Sequence, residues 1–145
     1  MKQLWNNYRL RKTQEFQEII KKRRKIFNNQ LIIFYSEKKD KENCRFGISI
    51  PKKIVKKAVH RNKYKRQIKS ILISIIKEKN KPLRIISNWD FVLVIKENFI
   101  KESFQKNKED LKKLLNFFIW KNNNNQNRSN FKNSNEKIKR NENPE

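Results

Sequence analysis

The sequence predicts a single α+β domain, an α–β sandwich in which helices pack on a β-sheet. Its 145 residues are enough for one hydrophobic core of two packed layers but not for two cores. Two short apolar segments with strand-like alternation precede a long segment of helical periodicity, and a third apolar run follows it. The predicted order is helix, two or three strands, helix, strand, helix. The central strand–helix–strand unit predicts a βαβ crossover.

The first predicted element is a helix from residue 13 to about residue 24. Thr13 is of a residue type that caps helices, and Glu15 lies in the first turn, where a carboxylate suits the helix dipole. The basic run 21–25 suits the dipole at the C-terminal end, and a contact with phosphate is an equally good interpretation. The apolar residues that recur at helical spacing are Phe16, Ile19 and Ile20.

Two strands are predicted next, joined as a hairpin. Residues 31–35 form a β-branched and aromatic run, and residues 44–50 alternate in polarity and end at Pro51. The charged residues 36–43 between them are predicted to form the hairpin loop. Because side chains alternate along a strand, the first strand has one face with Ile32 and Phe34 and another with Leu31, Ile33 and Tyr35.

A long helix, a strand and a last helix are predicted in the rest of the domain. The long helix covers about residues 55–79, a loop residues 80–88, the strand residues 89–95 and the last helix residues 101–120. In each helix, apolar residues repeat at a spacing that gives one face able to pack on the sheet. These faces consist of Tyr64, Ile68, Ile71 and Ile75 in the long helix, and of Phe104, Leu111, Leu114, Leu115 and Phe118 in the last one.

The composition changes after residue 120. Residues 121–145 contain ten asparagines and almost no apolar side chains. Such a segment cannot bury enough apolar surface to offset the entropy lost on ordering. We therefore expect residues 1–120 to form the folded domain and residues 121–145 to be an Asn-rich disordered tail.

The net charge restricts the partners of this chain. Lys and Arg total 38 against 14 Asp and Glu, a formal net charge of +24. A chain this basic repels itself unless a polyanion neutralises it, and nucleic acid is the commonest such partner for a small basic domain. No stretch approaches the roughly 20 apolar residues of a membrane span, and the N-terminus lacks the apolar segment of a signal peptide. We therefore expect a soluble, cytoplasmic protein that binds no membrane.

The scarcity of metal-binding and nucleophilic residue types excludes several classes of site. Cys44 is the only cysteine and His60 the only histidine, which excludes an internal disulfide, a structural zinc cluster and a multi-histidine metal site. Acidic residues are few and scattered, so no carboxylate cluster for a two-metal catalytic site is visible. The sequence therefore predicts no catalytic residues and no metal ligands in this chain, and a buried Cys44.

The clearest functional pattern is the basic run 52–69, in which nine of 18 residues are basic and none is acidic. A solvated helix face normally mixes charges, because like charges at i,i+4 destabilise the helix. On the predicted helix, Asn62, Lys65, Arg66 and Lys69 cluster away from the apolar face. Arg can fork across phosphate oxygens, Lys acts as a point charge, and Asn can bind a sugar hydroxyl or a base edge. The alternative is a solvated face in a lysine-biased proteome, since the abundance of Lys, Asn and Ile suggests an AT-rich genome.

Residues 52–66, KKIVKKAVHRNKYKR, closely resemble the signature of the bacterial ribonuclease P protein component. That signature centres on Arg-Asn-Arg, followed by an apolar residue and Lys-Arg. The chain departs from it at Lys63, which keeps the charge of the third position and loses the bidentate geometry of Arg. Residues 9–16, Gly47 and the order of the later elements also resemble the family, so the resemblance covers about residues 8–119. The matching residues of the signature are Arg61, Asn62, Lys65 and Arg66.

The resemblance implies a fold and two binding surfaces. The fold would be an α–β sandwich whose βαβ crossover is left-handed, against the usual rule, and whose crossover helix meets the catalytic RNA. A cleft between the first helix and the sheet would hold the single-stranded 5′ leader of precursor tRNA, since bases stack on aromatic side chains with little sequence demand. Packing in the core is the alternative for these cleft residues, above all for Ile20. The implied RNA-binding residues are Lys52, Lys53, Lys56, Lys57, Arg61, Asn62, Lys63, Lys65, Arg66 and Lys69. The implied cleft residues are Lys12, Phe16, Ile20 and Phe34.

The function implied by the resemblance is that of the protein subunit of ribonuclease P, an endoribonuclease that hydrolyses precursor tRNA at the mature 5′ end. The RNA subunit would catalyse the reaction with Mg²⁺ that it binds itself. The expected partners are ribonuclease P RNA and precursor tRNA, with no obligate protein partner. Two other classes stay open. A ribosomal protein would share the basicity, and a protein-only nuclease would cut RNA alone, although the scattered carboxylates argue against it.

Overall fold

The structure is a computed structural model that describes residues 2–38, 43–78 and 86–127. Within these ranges the chain forms helices and strands that alternate largely in the predicted order. Their bounds are α1 (Lys2–Asn6), α2 (Thr13–Lys21), β1 (Lys25–Phe27), β2 (Leu31–Glu37), β3 (Arg45–Ser49), α3 (Ala58–Lys77), β4 (Trp89–Ile95), α4 (Glu97–Lys101) and α5 (Phe104–Asn127).

The strands form one sheet in the order β1-β2-β4-β3. β4 pairs antiparallel with β2 and parallel with β3, so β3, α3 and β4 form the predicted βαβ crossover, whose hand stays a prediction. The predicted hairpin between β2 and β3 is wrong, because β4 lies between these two strands. β4 takes this central position because it can be buried on both faces of the sheet, as its nearly continuous burial from Trp89 to Leu93 shows.

The first helix ends before its predicted end at about residue 24, and a short strand, β1, follows it. Three strands therefore precede α3. α2 ends at Lys21, because Arg23 adopts a φ of 60°, the left-handed conformation that terminates helices and that glycine usually supplies. The chain then turns into β1, which pairs antiparallel with β2. The predicted cap is also displaced by one residue. Lys12 holds the N-cap position and Thr13 is the first helical residue.

One face of the sheet, called the core face below, packs against α3 and α5. The strand side chains Leu31, Ile33 and Tyr35 are buried there, as their alternation predicts. At its centre, Phe91 stacks on Phe46 at 5.4 Å between ring centres. The predicted apolar face of α3 is confirmed by the burial of Ile68, Ile71 and Ile75 and by the packing of Tyr64 against them.

The opposite face, called the cleft face below, is covered among the described elements by α2 and the segment before it. Leu10, Ile19 and Val92 are buried in a second, smaller apolar cluster. Phe16, Ile20, Phe34 and Val94 pack against this cluster and are only partly buried. Because α2 has nine residues, it spans only part of the sheet, and the apolar side chains at its borders stay accessible.

The N-terminal segment and the last helix differ from the prediction. α1 has no counterpart in the predicted order, and its Trp5 is buried in the main core. Phe104, predicted to pack in the core, is 39% exposed, because it is the first residue of α5. The rest of the predicted stripe, Leu111, Leu114, Leu115 and Phe118, is buried.

α5 extends past its predicted end at residue 120 to Asn127. Ser103 caps its start, since the Ser103 hydroxyl accepts a hydrogen bond from the backbone N–H of Lys106 at 3.1 Å. The first residues of the predicted tail are therefore helical. Residues 128–145 lie outside the described residues, as do residues 39–42 of the predicted hairpin loop.

Candidate nucleic-acid interface

The basic helix α3 separates its apolar and basic side chains in the predicted way. Its apolar residues face the sheet, and the polar residues of the predicted RNA-binding face point away from it. Lys69 is half-buried, and its Nζ lies 5.9 Å from the centre of the Trp5 ring, so its stem packs on an aromatic surface while its charge stays at the rim. The exposed members of this face are Asn62, Lys63, Lys65 and Arg66.

The loop between β3 and α3 concentrates further positive charge at the start of the helix. The first turn of α3 contains no acidic residue, so the positive end of the helix dipole adds to the charge of the loop. Arg61 reaches back from this turn, and its Nη1 donates to the carbonyl oxygens of Val55 at 3.0 Å and Lys56 at 2.7 Å. Arg61 therefore organises the loop, a role that the sequence does not indicate. The exposed lysines of the loop are Lys52, Lys53, Lys56 and Lys57.

Phe16, Ile20 and Phe34, the predicted cleft residues, lie in one apolar cluster on the cleft face. Gly47 of β3 lies directly beneath Phe16. A Cβ at this position would be 2.8 and 2.9 Å from the two Cε atoms of the ring and closer still to its Cζ. Because Cβ atoms do not approach other atoms so closely, glycine is what allows the ring to pack here.

Lysines and another aromatic ring border this cluster on the side of β1. The Nζ of Lys25 lies 5.8 Å from the ring centre of Phe27 and 5.9 Å from that of Phe34. The Nζ of Lys96 lies 4.9 Å from the Phe27 ring centre. Phe27 is absent from the predicted site because residues 25–27 are not predicted to be a strand. The available signal was the alternation of Lys25, Ile26 and Phe27, which is typical of a half-buried strand.

Ion pairs and hydrogen bonds hold α2 on the cleft face. Arg45 donates from Nε and Nη2 to the two carboxylate oxygens of Asp90 at 3.0 and 2.7 Å, and its Nη2 lies 3.4 Å from a carboxylate oxygen of Glu15. The hydrogen bonds that Arg45 donates to the Asp90 carboxylate raise the pKa of Arg45 above its usual value. Near the other end of α2, Lys22 donates to the hydroxyl of Ser36 at 2.9 Å. The helix is thus attached near both ends, which positions its apolar side chains.

A groove of about 590 Å³ opens beside β3, between α2 and α3. Its lining includes Phe16 and Ile20 from α2 and Lys65, Arg66 and Lys69 from α3. The sequence predicts these as members of two separate sites, and the structure brings them together in one. An apolar and aromatic wall therefore faces a cationic wall, which is the combination that binds the bases and phosphates of a single strand.

The segment before α2 contributes two more cations to this groove. Phe46 of β3 donates its backbone N–H to the carbonyl of Tyr8 at 2.6 Å, and Leu10 donates to the carbonyl of Phe46 at 2.9 Å. This pairing places Arg9 and Arg11 in the groove lining. Neither is a predicted site residue, although two arginines flanking one apolar residue are visible in the sequence.

Two predicted cleft residues do not line the groove. Lys12 is exposed at the N-cap of α2, and Phe34 lies on β2, two strands away from β3. The predicted cleft residues thus belong to two adjoining surfaces, the groove and the open part of the cleft face. Phe16 and Ile20 belong to both.

Within residues 2–38, 43–78 and 86–127, no group of three or more His, Cys, Asp or Glu side chains is arranged to hold a metal ion. Among the helices in those ranges, none combines the length and apolar character needed to cross a lipid bilayer.

Comparison with known sequences gives consistent matches over most of the chain. A family model described as Ribonuclease P matches residues 4–118. The ribonuclease P protein component of Mycoplasmopsis pulmonis is 36% identical over 111 residues, which cover 77% of this chain and 91% of that protein. The protein of the same name from Mesoplasma florum is 39% identical over 113 residues, covering 76% and 94%.

Solved structures agree with the sequence matches. The ribonuclease P protein of Staphylococcus aureus superposes with a TM-score of 0.63 at 27% identity, covering 76% of this chain and 94% of that one. The protein of Thermotoga maritima superposes with a TM-score of 0.60 at 26% identity, covering 74% and 94%. The α+β architecture with its four-stranded sheet is therefore shared with both.

Proposed function

The chain belongs to the ribonuclease P protein family, and we propose that it holds the single-stranded 5′ leader of precursor tRNA beside the catalytic RNA. As a member of this family it is the protein subunit of ribonuclease P, a ribonucleoprotein of tRNA processing. The proposal adds which surface of this chain binds which part of the substrate complex.

The observation that carries the proposal is the groove between α2 and α3, in which Phe16 and Ile20 face Lys65, Arg66 and Lys69. A base can stack on an aromatic ring whatever its identity, and cations on the opposite wall can pair with the phosphates. Leaders of different sequence can therefore bind the same groove. The cluster around Phe34 extends this surface across the cleft face.

We assign the binding of the RNA subunit to the exposed basic end of α3 and to the loop before it. The lysines of the loop, together with the exposed Lys63 and Arg66, present only positive charge, and the N-terminus of α3 adds its dipole. Asn62 adds a neutral amide that can donate and accept hydrogen bonds. Each phosphate that these cations neutralise releases condensed counterions, so binding should weaken steeply with salt. Because the groove adjoins this surface, the leader would lie next to the catalytic RNA.

In this proposal the RNA subunit and its Mg²⁺ ions perform the hydrolysis, and the protein supplies binding and charge. The carboxylates near the interface have structural partners in this chain. Glu15 and Asp90 both pair with Arg45.

Reconstitution with ribonuclease P RNA at low magnesium tests the proposal. The protein should increase cleavage of precursor tRNA over RNA alone, and protein alone should cut nothing. Phe16→Ala should reduce the preference for leader-bearing over mature tRNA by about five- to tenfold, the loss expected for one stacked base. Lys53→Ala, in the exposed loop outside the groove lining, should weaken binding of the RNA subunit and lower the salt slope by about one. Lys101→Ala is the matched control, since Lys101 is exposed and pairs with Glu97 at 3.3 Å on α4.

The alternatives give different results in the same assay. A ribosomal protein would sediment with ribosomal subunits and leave cleavage unchanged, and a protein-only nuclease would cut precursor tRNA without RNA. If Phe16→Ala weakened binding of leader-bearing and mature tRNA equally, the groove would not be the leader site.

A further inference from the structure

An aromatic pair on α5 lies outside the two binding surfaces described above. Trp120 is 56% exposed and stacks on Phe117, with ring centres 6.2 Å apart and an interplanar angle of 25°. Phe117 is half-buried against the main core, so it fixes the position of the pair. Large exposed aromatic side chains on a helix with a wide polar face often mark a binding site.

A pocket of about 300 Å³ lies beside this pair, between α5 and the turn that joins β1 to β2. The turn is rigidly built. Asn28 accepts hydrogen bonds on its side-chain oxygen from the backbone N–H groups of Gln30 at 2.9 Å and Leu31 at 3.0 Å. Its side-chain nitrogen donates to the carbonyl of Asp110 on α5 at 3.3 Å. The pocket therefore has two walls that hydrogen bonds hold together.

Some polar side chains of the pocket have hydrogen-bond or ion-pair partners within the described part of the chain, and others have none. Asp110 is neutralised by Lys106 and by a hydrogen bond from the side chain of Gln30. Among the residues that the structure describes, the lining residues Lys113 and Asn29 have no hydrogen-bond or ion-pair partner. The pocket thus offers a cation and an amide beside an aromatic ring.

We propose that this surface, made by Phe117, Trp120, Lys113 and Asn29, is a second stacking site for single-stranded RNA. The inference rests on the proposed function and extends it. One base would stack on the Trp120 face of the aromatic pair, its phosphate would pair with Lys113, and the amide of Asn29 would bind a base edge or sugar hydroxyl. The nucleotides bound would be those of the leader farthest from the cleavage site.

Charge and continuity favour RNA over a protein partner. A chain of net charge +24 attracts polyanions first. The site also adjoins the cleft face at the β1 edge of the sheet, because Phe27 at the end of β1 directly precedes the turn that forms the pocket. Lys96 connects the two, with its Nζ 4.9 Å from the Phe27 ring centre and donating to the carbonyl of Asn28 at 2.9 Å. A leader strand crossing Phe34 and Phe27 would thus pass around the β1 edge of the sheet, beside Lys96, to reach the pocket.

Tryptophan fluorescence detects this binding directly. Trp120 is 56% exposed, whereas Trp89 is 8% exposed and Trp5, which lines the groove, is 6% exposed. The part of the quenching that Trp120→Phe removes therefore reports on Trp120. Titration with single-stranded oligouridylates of increasing length should give quenching that appears only above a threshold length. The Trp120→Phe variant should lose the quenching and keep most of the affinity, because a phenyl ring can still stack.

Leader length provides the decisive measurement in the reconstituted complex with ribonuclease P RNA. Trp120→Ala and Lys113→Ala should each weaken binding of a long-leader precursor tRNA, by about five- to tenfold for Trp120→Ala, and leave a short-leader precursor unchanged. Phe104→Ala is the matched control, since Phe104 is an exposed aromatic residue of α5 outside the pocket.

The outcomes separate this inference from the proposed function. If Phe16→Ala reduces leader affinity at every length and Trp120→Ala at none, only the second site is overturned. If neither variant changes leader affinity, the proposed leader site in the groove is wrong as well. If Trp120→Ala instead converts a dimer to a monomer in sedimentation and leaves long-leader affinity unchanged, the surface is a protein interface and the inference is wrong.

Discussion

The two faces of the sheet differ in how completely they are covered. On the core face, α3 and α5 bury the strand side chains, and Ile33, Phe91 and Leu93 have no exposed surface. On the cleft face, the nine residues of α2 leave Phe16 and Phe34 half-exposed. Removal of apolar area from water stabilises the fold in proportion to that area. The core face therefore provides most of the stability, and the cleft face retains apolar surface that a ligand can cover.

Thiol reactivity should show the largest difference between the faces. Burial raises the pKa of Cys44, which is 1% exposed in the main core, to about 12. An ordinary thiol has a pKa of about 8.5, so at pH 8 the thiolate fraction of Cys44 should be lower by roughly a thousandfold. Alkylation by iodoacetamide should be correspondingly slower than in a Cys44→Ala/Phe34→Cys variant. In urea the two rates should become equal. Similar rates in the folded proteins would show that the core face is open.

Truncation of one aromatic ring on each face should separate stability from binding. Phe91→Ala should lower the free energy of unfolding by about 3–5 kcal/mol, because it leaves a cavity in a fully buried site. Phe34→Ala should cost only about 1–2 kcal/mol, because its ring is partly in water already. Urea denaturation gives both values. Equal losses in the free energy of unfolding would contradict the proposal that the core face provides stability and the cleft face binding.

The contact between Gly47 and Phe16 lies on the cleft face and should give an intermediate effect. In Gly47→Ala the new Cβ meets the Phe16 ring and displaces it, at a cost of about 1–3 kcal/mol of stability, together with a loss of affinity for leader-bearing tRNA. In the double variant Gly47→Ala/Phe16→Leu, the smaller side chain should restore stability but not leader affinity. The idea fails if Gly47→Ala changes neither quantity, as judged by denaturation and by competition with mature tRNA.

The ion pair between Arg45 and Asp90 should have the smallest effect. Arg45→Met removes both of its hydrogen bonds to Asp90, whose side chain is 9% exposed. Because Arg45 itself is about one-third exposed, water replaces part of the interaction, and the expected cost is about 1 kcal/mol. A double-mutant cycle with Asp90→Asn measures the coupling between the two side chains. Leader affinity should fall as well, since the same arginine anchors Glu15 of α2, and an unchanged affinity would show that α2 needs no such anchor.

The local patterns of the sequence predicted most helices and strands and the residues that each buries. Periodicity identified the apolar face of α3, and alternation identified the two faces of β2, because both depend only on neighbouring residues. The predicted end of α2 was wrong because the backbone of Arg23 adopts the left-handed conformation and stops the helix there. No glycine in the sequence signals this stop. The hairpin was wrong because strand pairing depends on which strand can be buried on both faces, and β4 comes later in the chain.

The sequence by itself determined the chemistry of this protein. Its charge, the one-sided basic residues of α3 and the motif containing Arg61, Asn62, Lys65 and Arg66 follow from residue types and their spacing. Only the tertiary structure decided where that chemistry lies. The groove between α2 and α3 and the surface around Trp120 each join residues far apart in the chain. Such contacts depend on the order of the strands and on how the helices pack, which no local pattern encodes.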